Sequence, residues 1–153
     1  MKIAIQTNDF DVSAELAQLR IKHRDVGALA SFVGTVREVT KGVNDAEVTQ
    51  MELEHYPGMT EKSLTAIAQQ AIERWKLNDA VIIHRVGVLQ VTEQIVLVIA
   101  ASKHRGDAFA ACEFMMDYLK TDAPFWKKET TATGAHWVDA RSSDVSALDK
   151  WTR

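Results

Sequence analysis

Two stretches of the chain carry apolar stripes at helical spacing. In the first, Leu64, Ile67, Ala68, Ala71, Ile72 and Trp75 step by three, one, three, one and three. That stripe predicts an amphipathic helix. Thr60 is its expected N-cap, and Glu61 suits the positive end of the helix dipole. In the second, Ala108, Cys112, Met115, Met116 and Leu119 share a face, which predicts a helix from near Asp107 to Ala123 at the latest. Pro124 cannot extend it and biases Ala123 away from helical dihedrals. A shorter segment, Ser13 to Arg20, places Leu16, Ala17 and Leu19 at helix-compatible spacing.

Between the helices the pattern changes to that of strands. Lys2 to Gln6 is short and β-branched. Gly27 to Val36 is apolar and runs into Gly34-Thr35-Val36-Arg37, which reads as a strand reaching an exposed end. Val48 to Tyr56 alternates and ends at Pro57-Gly58. Asn78-Asp79 turns the chain into a strand over Ala80 to Val86. Gln94 to Ala101 is almost continuously apolar, the mark of a strand covered on both faces. Phe125 to Thr130 and His136 to Ala140 read as short strands joined through Ala132-Thr133-Gly134. Asp9 to Asp11 is a polar break, Thr40 to Asp45 a loop, and Ser142 to Arg153 a short helix or a loose tail. The order β-α-β-β-α-β-β-α-β-β pairs strands between helices. It predicts an α+β fold with mostly antiparallel pairing rather than a doubly wound sheet.

Composition narrows the class. The chain has 153 residues, 46% of them hydrophobic and 25% charged, with only 2 prolines and 7 glycines. That is globular composition at a length suited to one domain, 1–153. A net charge of −3 argues against a non-specific nucleic-acid binder. The longest apolar run, Ile95 to Ala101, is far too short for a bilayer, so no membrane association is expected. No secretory signal pattern opens the sequence, and the expected setting is cytoplasmic. The single cysteine, Cys112, lies in a helical apolar stripe and reads as a small buried hydrophobe.

Phosphate-loop and nucleophile-elbow motifs are absent. The 5 histidines, at positions 23, 55, 84, 104 and 136, never pair at i, i+4, so a metal site would need distant positions. The informative region is Lys103 to Lys128. It holds Lys103, His104, Arg105, Lys120, Lys127 and Lys128 but also Asp107, Glu113, Asp117 and Asp122. An anion site there requires geometry that gathers the cations and turns the carboxylates away. His104 and Arg105 stand at the entrance of the second helix, where free N–H groups favour an anion. Lys120 stands at its exit, roughly 22 Å along the axis. One small ligand cannot touch both ends of a single regular helix. Either the ligand is elongated, a second element intervenes, or a neighbouring subunit contributes. Strand alternation puts Phe125, Lys127 and Glu129 on one side and Trp126 and Lys128 on the other. Plainer readings stay open: Lys120 in a helix-face pair with Asp117 or Glu113, Lys127-Lys128 as exposed strand residues, and His104-Arg105 as a strand end.

Several separated segments together resemble one family. They are Phe32-Val33-Gly34-Thr35-Val36-Arg37, Leu53-Glu54-His55-Tyr56-Pro57-Gly58-Met59, Ile83-His84-Arg85-Val86-Gly87, Lys103-His104-Arg105 with Ala108-Phe109, Met116-Asp117-Tyr118-Leu119-Lys120, Ala123-Pro124-Phe125-Trp126-Lys127-Lys128-Glu129 and Trp137-Val138-Asp139-Ala140-Arg141. Over about residues 25 to 145 the sequence resembles the large, catalytic subunits of molybdopterin synthases. It departs from them at Val91-Thr92-Glu93, where relatives often carry a glycine-containing turn.

The resemblance implies an α/β-hammerhead fold with two main helices and a small additional β subdomain. It implies a sulfurtransferase that converts cyclic pyranopterin monophosphate to molybdopterin, in molybdenum cofactor biosynthesis. Sulfur would come from the C-terminal thiocarboxylate of a small ubiquitin-like subunit. Two large subunits would form a homodimer within a heterotetramer, with no metal or other cofactor needed for the transfer. By the same resemblance, Lys120 and Lys127 are the expected catalytic residues. Thr35, Val36, Arg37, His104, Arg105, Lys128 and Glu129 are the expected substrate-binding residues, and Arg141 is a candidate contribution from the second subunit. Two other readings remain: a pterin-binding module without sulfur transfer, and a structural dimer whose charges are surface decoration.

Overall fold

The computed structural model describes residues 1–38, 48–138 and 142–152. The expected loop over Thr40–Asp45, the end of the last expected strand at Asp139 and Ala140, and Arg141 lie outside those residues. Among the described residues the chain runs β1 (Lys2–Gln6), α1 (Val12–Lys22), β2 (Ala28–Thr35), β3 (Val48–His55), α2 (Met59–Trp75), β4 (Asp79–Arg85), β5 (Gly87–Gln90), β6 (Gln94–Ser102), α3 (Arg105–Asp122), β7 (Phe125–Thr131), β8 (Gly134–Val138) and α4 (Ser142–Ala147). A 3₁₀ turn over Leu148–Trp151 follows. The fold is α+β, as the strand pairing predicted.

Two four-stranded sheets form. The first has the order β1-β4-β6-β2, with β1 parallel to β4 and the other pairs antiparallel. The second, β5-β3-β7-β8, is antiparallel throughout. The continuous apolar run of β6 is explained by its place inside the first sheet. Val96, Val98 and Ala100 face α2 and α3, while Leu97, Ile99 and Ala101 face the cluster containing Leu16 and Leu19 of α1. All six are buried. β2 is an edge strand, and Ser31 and Phe32 at its middle are exposed. Val36, Met51, Leu53 and Leu89 form a third small core joining the sheets.

Three expectations are corrected. The strand β5 was not foreseen, because Gly87–Gln90 is too short to show a period; it is an edge of the second sheet. Thr60 is not the N-cap of α2. Gly58 holds that position, and its N–H donates to the Glu61 carboxylate at 2.6 Å. Thr60 is instead fully buried, accepting from the Tyr56 N–H at 2.9 Å and donating to the Pro124 carbonyl at 3.0 Å. It thereby ties the end of β3 to the start of β7. The third helix begins at Arg105, two residues before the expected Asp107, with His104 as N-cap. The C-terminal segment is ordered by Trp151. Its ring packs edge-on against Trp75 and Phe114, and its Nε1–H donates to Asp117 at 2.8 Å.

Gly27 locks the start of β2 to the segment that follows β6. Its N–H donates to the Ser102 carbonyl at 3.0 Å, and a Cβ placed on it would lie 2.3 Å from the Lys103 carbonyl oxygen. No side chain fits there.

Candidate active site

A cavity of about 500 Å³ opens where the two sheets meet the C-terminal end of α3. The first sheet contributes Phe32, Val33, Gly34 and Thr35 from β2, His84 from β4, and Ile95 and Val96 from β6. The second contributes Met51 and Leu53 from β3, Phe125 and Lys127 from β7, and Val138 from β8. Met116, Leu119 and Lys120 of α3 close one side, with Arg37 and Asp144 at the rim. The floor is apolar and the charged groups are predominantly cationic.

Each cation arrives by a different route. Arg37 follows the exposed end of β2. Lys120 is in the last turn of α3, where a positive charge is favoured by the helix dipole. Lys127 follows from the break at Pro124. Ala123 takes extended dihedrals (φ −85°, ψ 126°), and the next strand points Phe125 and Lys127 to the same side.

The carboxylates of α3 are turned away. Asp117 and Glu113 both pair with Lys150, and Asp117 also accepts from Trp151. Lys120 is therefore not in the helix-face pair that its spacing allowed. Its Nζ lies 4.0 Å from Asp144 of α4, which reaches the cavity from the C-terminal segment. Lys127 Nζ lies 3.1 Å from Glu129.

The remaining expected residues fall elsewhere. Val36 is buried in the third core, its N–H donating to the Glu93 carbonyl and its own carbonyl accepting from Thr92. Neither its side chain nor its backbone is free to line the cavity. The left-handed Thr92 (φ 79°) makes that turn without a glycine. Glu129 is buried behind Lys127 rather than lining the cavity. Lys128 faces the other side of β7, 3.3 Å from Glu52 and over the Trp137 ring. His104 and Arg105 are exposed at the far end of α3 and do not reach the cavity within one chain.

His84 was not singled out as a site residue by the sequence. The available signal was its place in β4, alternating with Ala80 and Ile82 toward the helices. Its ring stacks on Phe125, with centroids 3.8 Å apart and planes 17° from parallel. Nδ1 lies 2.8 Å from the Arg85 carbonyl, which can only accept, so Nδ1 carries the proton. Burial pushes the imidazole down to about 4, opposed by the Arg85 carbonyl and assisted by His55. Cys112 is also buried, and burial together with Glu113 pushes its thiol up to about 11. It does not line the cavity.

Comparison with known proteins places this geometry in context. The model of the MoaE protein family matches residues 5–122. A molybdopterin synthase catalytic subunit of Ralstonia nicotianae is 60% identical over 149 residues, covering 97% of this chain and 83% of that protein. The solved molybdopterin biosynthesis MoaE protein from Burkholderia ambifaria aligns with a TM-score of 0.84 at 58% identity, covering 99% of this chain and 98% of the other. A molybdopterin synthase structure from Staphylococcus aureus aligns with a TM-score of 0.79 at 33% identity, covering 89% and 96%.

Proposed function

The chain belongs to the MoaE protein family, and from that premise we propose that its cavity is the active site of a molybdopterin synthase catalytic subunit. The enzyme is a sulfurtransferase of molybdenum cofactor biosynthesis, built on an α/β-hammerhead type of fold and working in the cytoplasm. It receives the C-terminal thiocarboxylate of a small ubiquitin-like subunit and delivers sulfur to cyclic pyranopterin monophosphate.

One observation carries this reading. Arg37, Lys120 and Lys127, from three separate elements, converge on one cavity while the α3 carboxylates Glu113 and Asp117 are held by Lys150. Both reactants are anions, and a pocket that admits them together must neutralise both. As the carbon–sulfur bond forms and a carbon–oxygen bond breaks, negative charge develops on the leaving oxygen. Cations already in place stabilise that charge without reorganising. Lys120, sharing the cavity with Arg37, is suited to the thiocarboxylate and the proton transfer. Lys127 is suited to the substrate, held by Glu129. Thr35 shapes the rim, and Lys128 stays on the outer face of β7.

His104 and Arg105 reach a site through a second copy. β2 is an open edge, and Ala28 to Thr35 spans roughly 23 Å. Arg105 to Lys120 spans roughly 22 Å along α3. Antiparallel pairing of two β2 edges about a twofold axis near Ser31 and Phe32 places the start of one β2 beside the end of the other. The His104–Arg105 pair of each copy then approaches the Thr35–Arg37 rim of the other, on the face that carries both α3 helices. Arg is suited to grip a phosphate with a two-pronged fork. This arrangement gives a homodimer with two composite sites and leaves each β7–β8 region free for a small subunit.

The test is a reconstituted assay with thiocarboxylated small subunit and cyclic pyranopterin monophosphate. Lys120→Ala is expected to lower dithiolene formation by about a hundredfold or more, while binding of the small subunit persists. Near-normal turnover in that variant overturns the assignment.

A further inference from the structure

The cavity is lined by a largely buried polar side chain that the sulfur-transfer reading leaves unused. His84 is buried to 5% exposure, yet it lines the cavity. Its Nδ1–H is committed to the Arg85 carbonyl at 2.8 Å. Among the described residues its Nε2 makes no hydrogen bond. The ring cannot swing to find a partner, because Phe125 lies flat against it at 3.8 Å. A nitrogen held in one orientation on a side chain that is otherwise buried, without a protein partner and accessible from the cavity, is an acceptor available to a ligand.

We infer that His84 presents Nε2 as a hydrogen-bond acceptor to an N–H donor of a ligand in this cavity. The proposal rests on the functional reading above for the identity of the ligands. Around it stand Arg37 at the rim, Lys120 from α3 and Lys127 from β7, all donors without acceptor capacity, with His55 of β3 close enough to influence its charge. Among the described residues Asp144 is the lone carboxylate that lines the cavity, and it faces Lys120. His84 thus supplies what the cations cannot: a neutral acceptor that orients a ligand N–H without adding a negative charge to a site built for anions. Two donors fit this chemistry, a ring N–H of the heterocyclic phosphate and a backbone N–H of the entering peptide tail.

The test compares wild type, His84→Phe and His84→Gln. Phe keeps a flat ring against Phe125 and removes the acceptor; Gln restores an acceptor near the Nε2 position. Calorimetry with the cyclic pterin phosphate alone and with the small subunit alone separates the two donors. His84→Phe is expected to bind one of them about tenfold more weakly, with His84→Gln recovering most of the loss and the other affinity unchanged. ¹⁵N spectroscopy adds a readout independent of any stability change. Wild-type Nε2 is expected as a bare, pyridine-type nitrogen without ligand, shifting as a hydrogen-bonded acceptor when the ligand binds. Wild-type binding of both ligands with equal binding by His84→Phe, or an Nε2 resonance unmoved by either ligand, overturns the role of His84 and leaves the functional reading standing. A wild-type chain that binds neither overturns both.

Discussion

Glu129 sits two residues beyond Lys127 on the same face of β7, its carboxylate sealed from solvent and 3.1 Å from an ammonium that opens to the cavity. One group of the pair faces the protein and the other faces the cavity. In the proposed function Glu129 acts through Lys127, by holding the ammonium against the cavity wall. Glu129→Gln should lower kcat by about tenfold, roughly 1.4 kcal/mol of transition-state stabilisation. Small-subunit affinity should stay unchanged. A kcat within twofold of wild type would show that Lys127 needs no such support.

The proposed composite site predicts complementation between defective chains. Lys120→Ala and Arg105→Ala damage different ends of α3 and should each be inactive as homodimers. Mixed and allowed to exchange, they form heterodimers in which one cavity has a damaged Lys120 and a damaged partner pair, while the other has neither. Activity should reappear, up to one working site per heterodimer. If the mixture stays as inactive as its components while mass spectrometry shows exchanged subunits, the two ends of α3 serve the same cavity in some other way or serve none.

Protonation of His84 links the site to stability. Its folded value of about 4 lies below the ordinary 6.5. Between those values the unfolded chain holds a proton that the folded chain refuses. Stability from this group is complete above pH 6.5 and is lost as pH falls toward 4, by up to about 3 kcal/mol. His84→Gln removes the group that titrates. Urea unfolding at pH 7 and pH 5 should show wild type losing about 2 kcal/mol more than the variant across that interval. Parallel losses in the two chains would contradict the buried, neutral imidazole.

Charge neutralisation at the cavity should respond to salt. In the proposed function, Arg37, Lys120 and Lys127 act on a phosphate in a partly open pocket, where mobile ions compete. Affinity for the cyclic pterin phosphate, measured by calorimetry, should fall several-fold between 50 and 500 mM salt. An affinity flat over that range would mean that shape and hydrogen bonds, rather than screened charge, dominate binding.

The readable parts of the fold were those where one face of an element decides its sequence. The Leu64-to-Trp75 stripe and the apolar run of β6 each record a single environment, and Pro124 marks a boundary that no packing overrides. Short elements escaped. β5 has four residues, too few to establish alternation. Thr60 was misread because a hydroxyl before a helix suits an N-cap equally well as a bridge between two strands; only the proximity of Pro124 in space distinguishes them. At the site, alternation alone separated Lys127 from Lys128. It could not reveal that Val36 has both backbone groups taken by the 92–93 turn, nor that Lys150, far along the chain, engages the carboxylates of Glu113 and Asp117. His84 was hidden by its company, a polar residue directly after the apolar run Ala80 to Ile83.

The bare backbone at Gly27 has a last effect. Because the Lys103 carbonyl occupies the space of the missing side chain, the beginning of the edge strand and the segment carrying His104 and Arg105 are clamped together like the end-stop of a ruler. The pair cannot creep along the strand without unzipping it from its neighbour. In the proposed pairing, two chains aligned on that edge inherit the same graduation in both directions. In that pairing, lengthening the strand by one residue would throw both cavities out of step at once.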